Sequence, residues 1–146
     1  MIVAVVNAGI DEKLCDYLSR SLKDTLYYQL LGLELVRLGP GLSEFEVVTA
    51  EKHCNPLGLV HGGLIISLAD AVMGNAVRSL GITGVTVDLS ASVITSVPLG
   101  SKLRGTGKVV RAGKNMIFAE AEIWCDDRIV SDARGTLFNR GPINYK

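Results

Sequence analysis

Asp70 is the only carboxylate in the apolar run of residues 64–80. If that run is helical, its neighbours three, four and seven residues away are Gly63, Ile66, Ser67, Met73, Gly74 and Val77. None of them carries an opposite charge. An unpaired carboxylate is expensive to bury. Either a distant Arg pairs with it as a structural partner, or it faces solvent and substrate, where it could act as a base or a nucleophile. Both readings stay open on this residue alone.

Gly62 and Gly63 precede the run, where the first N–H groups of a helix lack intrahelical acceptors. The helix dipole adds partial positive charge there. Without a Cβ, a ligand can approach the backbone closely. Such N–H groups form an oxyanion hole, although a glycine pair before a helix also occurs as ordinary flexible chain. His61 offers a general base near neutral pH. Its place at the helix start, with no serine or cysteine nucleophile motif beside it, favours an orienting role instead. Asn55 either holds the loop before Pro56 or positions water. His53 and Cys54 are adjacent, so they rarely face each other correctly, and they read as loop residues.

The elements around these residues follow from periodicity. Residues 11–30 carry Leu14, Tyr17, Leu18, Leu22, Leu26 and Leu30 at helical spacing, with Asp11 as the cap. Residues 31–38 and 42–49 read as strands around the Gly39-Pro40-Gly41 turn. An irregular stretch, 51–60, leads into a helix over 61–80 that Gly81 ends. Four strand-like runs follow, over 85–93, 103–111, 116–125 and 128–138, with turns at 112–115 and 126–127. Strands grouped around segregated helices predict an α+β fold with an antiparallel sheet of five to six strands. The long helix is apolar nearly all round, which predicts that the sheet wraps around it.

Length predicts a single domain over residues 1–146, with a helical segment 1–30 and a core 31–140. Fifteen basic residues balance fifteen acidic ones, without the excess of a general nucleic-acid binder. The three cysteines, Cys15, Cys54 and Cys125, have no CxxC spacing. They suggest neither a disulfide framework nor a zinc site and fit a cytoplasmic protein. The apolar start, residues 1–6, is too short for the core of a signal peptide. No run approaches the length of a membrane span. No metal or cofactor is called for.

Residues 55–70, NPLGLVHGGLIISLAD, resemble the signature of hotdog-fold thioesterases of the phenylacetate-pathway (PaaI-like) group. That signature has an Asn, a His-Gly-Gly six residues on, and an acid fifteen residues after the Asn. Residues 84–90 (GVTVDLS), 97–100 (VPLG) and 111–114 (RAGK) resemble later parts of the same family. The resemblance covers residues 30–140.

The resemblance implies a hotdog fold, acyl-CoA or aryl-acyl-CoA substrates, and two subunits that share their active sites, with a tetramer open. Gly62, with Gly63, would bind the thioester carbonyl. Asp70 of the neighbouring subunit would activate water or attack directly. Asn55 would place the water or the thioester, and His61 would orient the loop. Thr86 stands where related enzymes carry a Ser or Thr that assists the water. Arg111 and Lys114 would meet the CoA phosphates. Asp70 lies seven residues beyond Gly63, about 10 Å along the helix. It is too far to serve its own helix's oxyanion hole, so dimerisation becomes a requirement for catalysis. Two alternatives share the fold: a non-catalytic acyl-CoA sensor, and a dehydratase. The dehydratase pattern brings an Asp and a His together on the loop and helix start, whereas here the acid lies nine residues after His61.

Overall fold

A computed structural model describes residues 4–146; of the apolar start, residues 1–3 lie outside the described residues. The chain runs β1 (Val6–Asn7), α1 (Glu12–Lys23), α2 (Leu26–Leu31), β2 (Glu34–Gly39) and β3 (Leu42–Val48). A 3-10 turn (Glu51–His53) leads to α3 (Gly62–Arg78). Then come β4 (Ile82–Val93), β5 (Lys102–Ala112), β6 (Met116–Cys125) and β7 (Arg128–Pro142). All seven strands form one sheet in the order β1-β2-β3-β5-β6-β7-β4.

The expected α+β architecture is present, with three differences in detail. The sheet has seven strands rather than five to six, and β1 pairs with β2 in parallel. A strand of two residues is too short to show alternation, so no sequence pattern announced it. The predicted helix over 11–30 is broken at Asp24 and Thr25. Leu14, Leu18 and Leu22 are buried, whereas Leu26 and Leu30 are exposed. The apolar stripe therefore ends with α1. Thr25 Oγ1 donates to the Ser21 carbonyl (2.9 Å), a local bond that competes with helix continuation. Asp11 is the N-cap residue of α1 but makes no side-chain cap bond.

Alternation in β3, β5, β6 and β7 sends Phe45, Leu103, Ile117, Ile123 and Leu137 to one face of the sheet, where all are buried. That face meets Leu64, Ile65, Leu68, Val72 and Val77 of α3 in one core. The helix is not covered all round. Ile66 is 42% exposed, and Ser67, Asp70 and Gly74 are half-buried. One stripe of α3 thus looks out past the edge strand β4.

Among the glycines, Gly107 brings sheet backbone tightest against the helix. A Cβ there would lie 2.1 Å from the Val72 carbonyl oxygen and 2.3 Å from its carbon. The same oxygen accepts from Ser43 Oγ at 2.6 Å. Both clashing atoms are backbone, so a side chain at 107 displaces α3 itself. Gly107→Ala is expected to cost about 3 kcal/mol or more, a fall of roughly 10 °C in Tm for a domain of this size. A thermal melt within two or three degrees of wild type would contradict this contact.

Candidate active site

The segment before α3 is braced by three polar side chains. Asn55 Oδ1 accepts from the N–H groups of Leu57 (2.9 Å) and Leu59 (3.1 Å). Both bonds are local to the loop. The Asn55 N–H also donates to the Leu59 carbonyl (2.7 Å), and Cys54 and Val60 form an isolated β-bridge. His53 is buried. Its Nδ1 accepts from the Ala50 N–H (2.9 Å), and its Nε2 donates to the Leu31 carbonyl (2.8 Å). Both ring nitrogens are occupied, as befits a structural loop residue.

His61 is the N-cap of α3. Its Nδ1 accepts from the Gly63 N–H at 2.7 Å, which leaves its proton on Nε2. This cap bond has a consequence for the glycine pair. The Gly63 N–H is taken up by the cap. The Gly62 N–H has no acceptor among the described residues. A Cβ at Gly62 would meet only Val93 Cγ2, at 4.0 Å, so the space beside that donor is open. The free donor at the start of α3 is therefore Gly62, with the helix dipole behind it.

Asp70 lies on the exposed stripe of α3. Thr86 Oγ1, from β4, donates to its Oδ1 at 2.7 Å. Among the described residues the ion pairs join Lys102 and Arg104 to Glu46, and no cation pairs with Asp70. The carboxylate lines a cleft of about 240 Å³ with Thr86, Tyr27, Tyr28 and Arg78. Burial pushes the Tyr28 phenol above its ordinary value. Its hydrogen bond with Asn75 opposes that shift, and the nearby Asp70 charge adds to it. Tyr28 is therefore a neutral hydroxyl at physiological pH.

Tyr27, Tyr28 and Arg78 went unnoticed in the sequence. Arg78 stands eight residues from Asp70, one beyond the axial neighbours considered above. The tyrosines arrive on α2, whose separation from α1 had no signal. The structure brings Asp70 and Thr86 together and joins His61 to Gly63. It does not bring Asp70 to Gly62, which is eight residues away, about 12 Å along the helix. Arg111 and Lys114 are exposed near the β5–β6 turn, and neither lines the Asp70 cleft.

Comparison with known proteins adds four findings. A family model described as the thioesterase superfamily matches residues 57–131. Acyl-coenzyme A thioesterase 13 of Homo sapiens is 29% identical over 118 residues, covering 79% of this chain and 80% of that protein. Among solved structures, the Escherichia coli PaaI protein of the phenylacetic acid degradation operon superposes with a TM-score of 0.86. It is 20% identical, over 92% of this chain and 99% of that one. A hypothetical thioesterase from Streptococcus pneumoniae, solved with coenzyme A, superposes at 0.79. It is 25% identical, over 84% and 99% of the two chains.

Proposed function

The chain belongs to the thioesterase superfamily and is a thioester hydrolase; from that premise we propose that it cleaves acyl-CoA thioesters at sites shared between two subunits. One observation carries this reading. A carboxylate with no cationic partner among the described residues, held by Thr86 at 2.7 Å, lines a cleft about 12 Å along the helix from the free Gly62 N–H of its own chain. Each half lacks what the other has. A second copy that brings its Gly62 to this Asp70 completes the constellation.

In the completed site the Gly62 N–H donates to the thioester oxygen and stabilises the negative charge that develops there. Asp70 takes a proton from water as the water oxygen bonds to the carbonyl carbon. The tetrahedral intermediate collapses, the C–S bond breaks, and the proton passes to the departing CoA sulfur. Thr86 orients Asp70 through its hydrogen bond. Direct attack by Asp70 on the carbonyl, giving a mixed anhydride that water then opens, uses the same geometry. Asn55 holds the loop, and its amide N–H₂ remains available to the thioester or the water. Arg111 and Lys114 are assigned to the CoA phosphates. The chemistry requires no further cofactor.

The sheet supplies the means of pairing. β4 ends the strand order, with its outer edge unpaired among the described residues. It exposes Val85, Val87 and Val93. Such an edge of 12 residues is a template for another strand. A homodimer through β4 would cover it and bring a second α3 alongside; a tetramer would need a further interface. Three free cysteines agree with a cytoplasmic setting.

Free CoA release from a panel of short, long and aromatic acyl-CoAs tests the reading. Turnover of at least one class is expected. Tight binding without turnover would instead favour a sensor, and hydration of an enoyl-CoA would favour a dehydratase.

A further inference from the structure

The cleft that holds Asp70 ends in a cation. Arg78 lines it from the far end of α3, about 12 Å from Asp70 along the helix axis. Its Nη1 donates to Asn75 Oδ1 (3.2 Å) and its Nη2 to Ser21 Oγ (3.0 Å). Both acceptors are neutral. No carboxylate lies within ion-pair distance of it among the described residues. A guanidinium has five N–H donors, so three are left over. Burial pulls its pKa below the ordinary value, and the Tyr28 and Tyr17 phenols oppose that shift. Taking a cation out of water without an anion is unfavourable.

The surroundings hold this guanidinium in place. Asn75 is buried, and its Nδ2 donates to the Ala71 carbonyl (2.8 Å) and to Tyr28 Oη (3.2 Å). Tyr28 Oη thus accepts from Asn75, which leaves its own proton free to donate. Leu22 and Leu137 give the cleft apolar wall. The cleft thus combines a carboxylate with its threonine, some apolar wall, and a fixed guanidinium whose partner Asn75 also holds a phenol O–H. A planar fork with spare donors matches a carboxylate.

We propose that the cleft is an acyl pocket for short dicarboxylic half-thioesters, from succinyl to adipyl, whose distal carboxylate binds Arg78. This specificity rests on the hydrolase reading above. The thioester carbonyl sits at Asp70, the methylenes lie along Leu22 and Leu137, and the free carboxylate accepts from Arg78 and Tyr28. The length of the acyl chain keeps that carboxylate apart from Asp70.

The test compares glutaryl-CoA with valeryl-CoA, equal in chain length and differing in the terminal group, on wild type and Arg78→Met. Wild type is expected to favour glutaryl-CoA in kcat/KM by about tenfold or more, since a site built for a polar group rejects its apolar analogue. Arg78→Met should bring that ratio to about one or below, and Arg78→Lys should keep part of it. Both thioesters are read on one preparation, so loss of folded enzyme lowers both rates and spares the ratio. If the variant does not fold, the wild-type preference across succinyl-, glutaryl- and adipyl-CoA against their monocarboxylic counterparts decides. Equal or better hydrolysis of valeryl-CoA by wild type overturns the proposal and leaves the hydrolase reading standing. A rise in KM common to both substrates in Arg78→Met, with the ratio unmoved, also overturns it, because Arg78 would then serve the CoA phosphates. Failure to hydrolyse any acyl-CoA would count against the hydrolase reading itself.

Discussion

Asp70→Asn is expected to reduce CoA release by about a hundredfold or more, the usual loss when a positioned general base is removed. The substitution is nearly isosteric. The asparagine oxygen still accepts from Thr86, so the 2.7 Å contact to β4 and the thermal stability should survive. Initial rates at saturating acyl-CoA, together with a melting curve, separate loss of chemistry from loss of fold. Undiminished turnover would remove Asp70 from the reaction. Because Asp70 has no cationic partner among the described residues, its removal strands no buried charge, and this keeps the experiment clean.

The second large effect concerns a backbone atom. Gly62→Pro deletes one N–H and puts a ring methylene in its place. Gly62 is the first residue of α3, where helices tolerate proline. His61 before it has ψ 136°, the extended conformation that a residue preceding proline adopts. The loss of rate should be roughly a hundred- to a thousandfold, as for a missing oxyanion donor. Gly62→Ala keeps the N–H and should lose far less. Co-expression of Gly62→Pro with Asp70→Asn then reports where the site lies. In a mixed dimer one site receives an intact Gly62 from one chain and an intact Asp70 from the other. Random pairing should restore roughly a quarter of wild-type activity. If both groups act within one protomer, the mixture stays as inactive as its parents.

Much of the architecture was legible because the sequence kept strict periods. The strands after α3 alternate cleanly, and α3 itself is an apolar run with a histidine and two glycines at one end and Gly81 near the other. The spacing of Asn55, His61, Gly62 and Asp70 is local, so one chain segment carries it. What escaped was non-local or unmarked. No proline or glycine signals the break at Asp24 and Thr25, so in the sequence α2 runs on from α1 and nothing brings its tyrosines near Asp70. Nothing in the sequence marks Arg78, in the last turn of α3, as part of a site. It becomes part of the cleft only because Ser21 and Asn75 turn it there. The division of labour in the glycine pair depends on a ring nitrogen, His61 Nδ1, that chooses Gly63 over Gly62. The need for glycine at 107 lies in a helix carbonyl contributed by a residue 35 positions earlier (107 − 72).

That contact also limits how such an enzyme can diversify. With β5 backbone against the Val72 carbonyl, the height of α3 above the sheet is set by main chain, not by side chains that exchange freely. A descendant that must admit a bulkier acyl group gains no room by repacking beneath the helix. Its accessible changes are on the open flank, at Tyr27 and Tyr28 of α2, at Arg78, and in the short joint between α1 and α2. Variation in substrate range among descendants should therefore concentrate in that flank, while the glycine under the helix persists whatever the substrate.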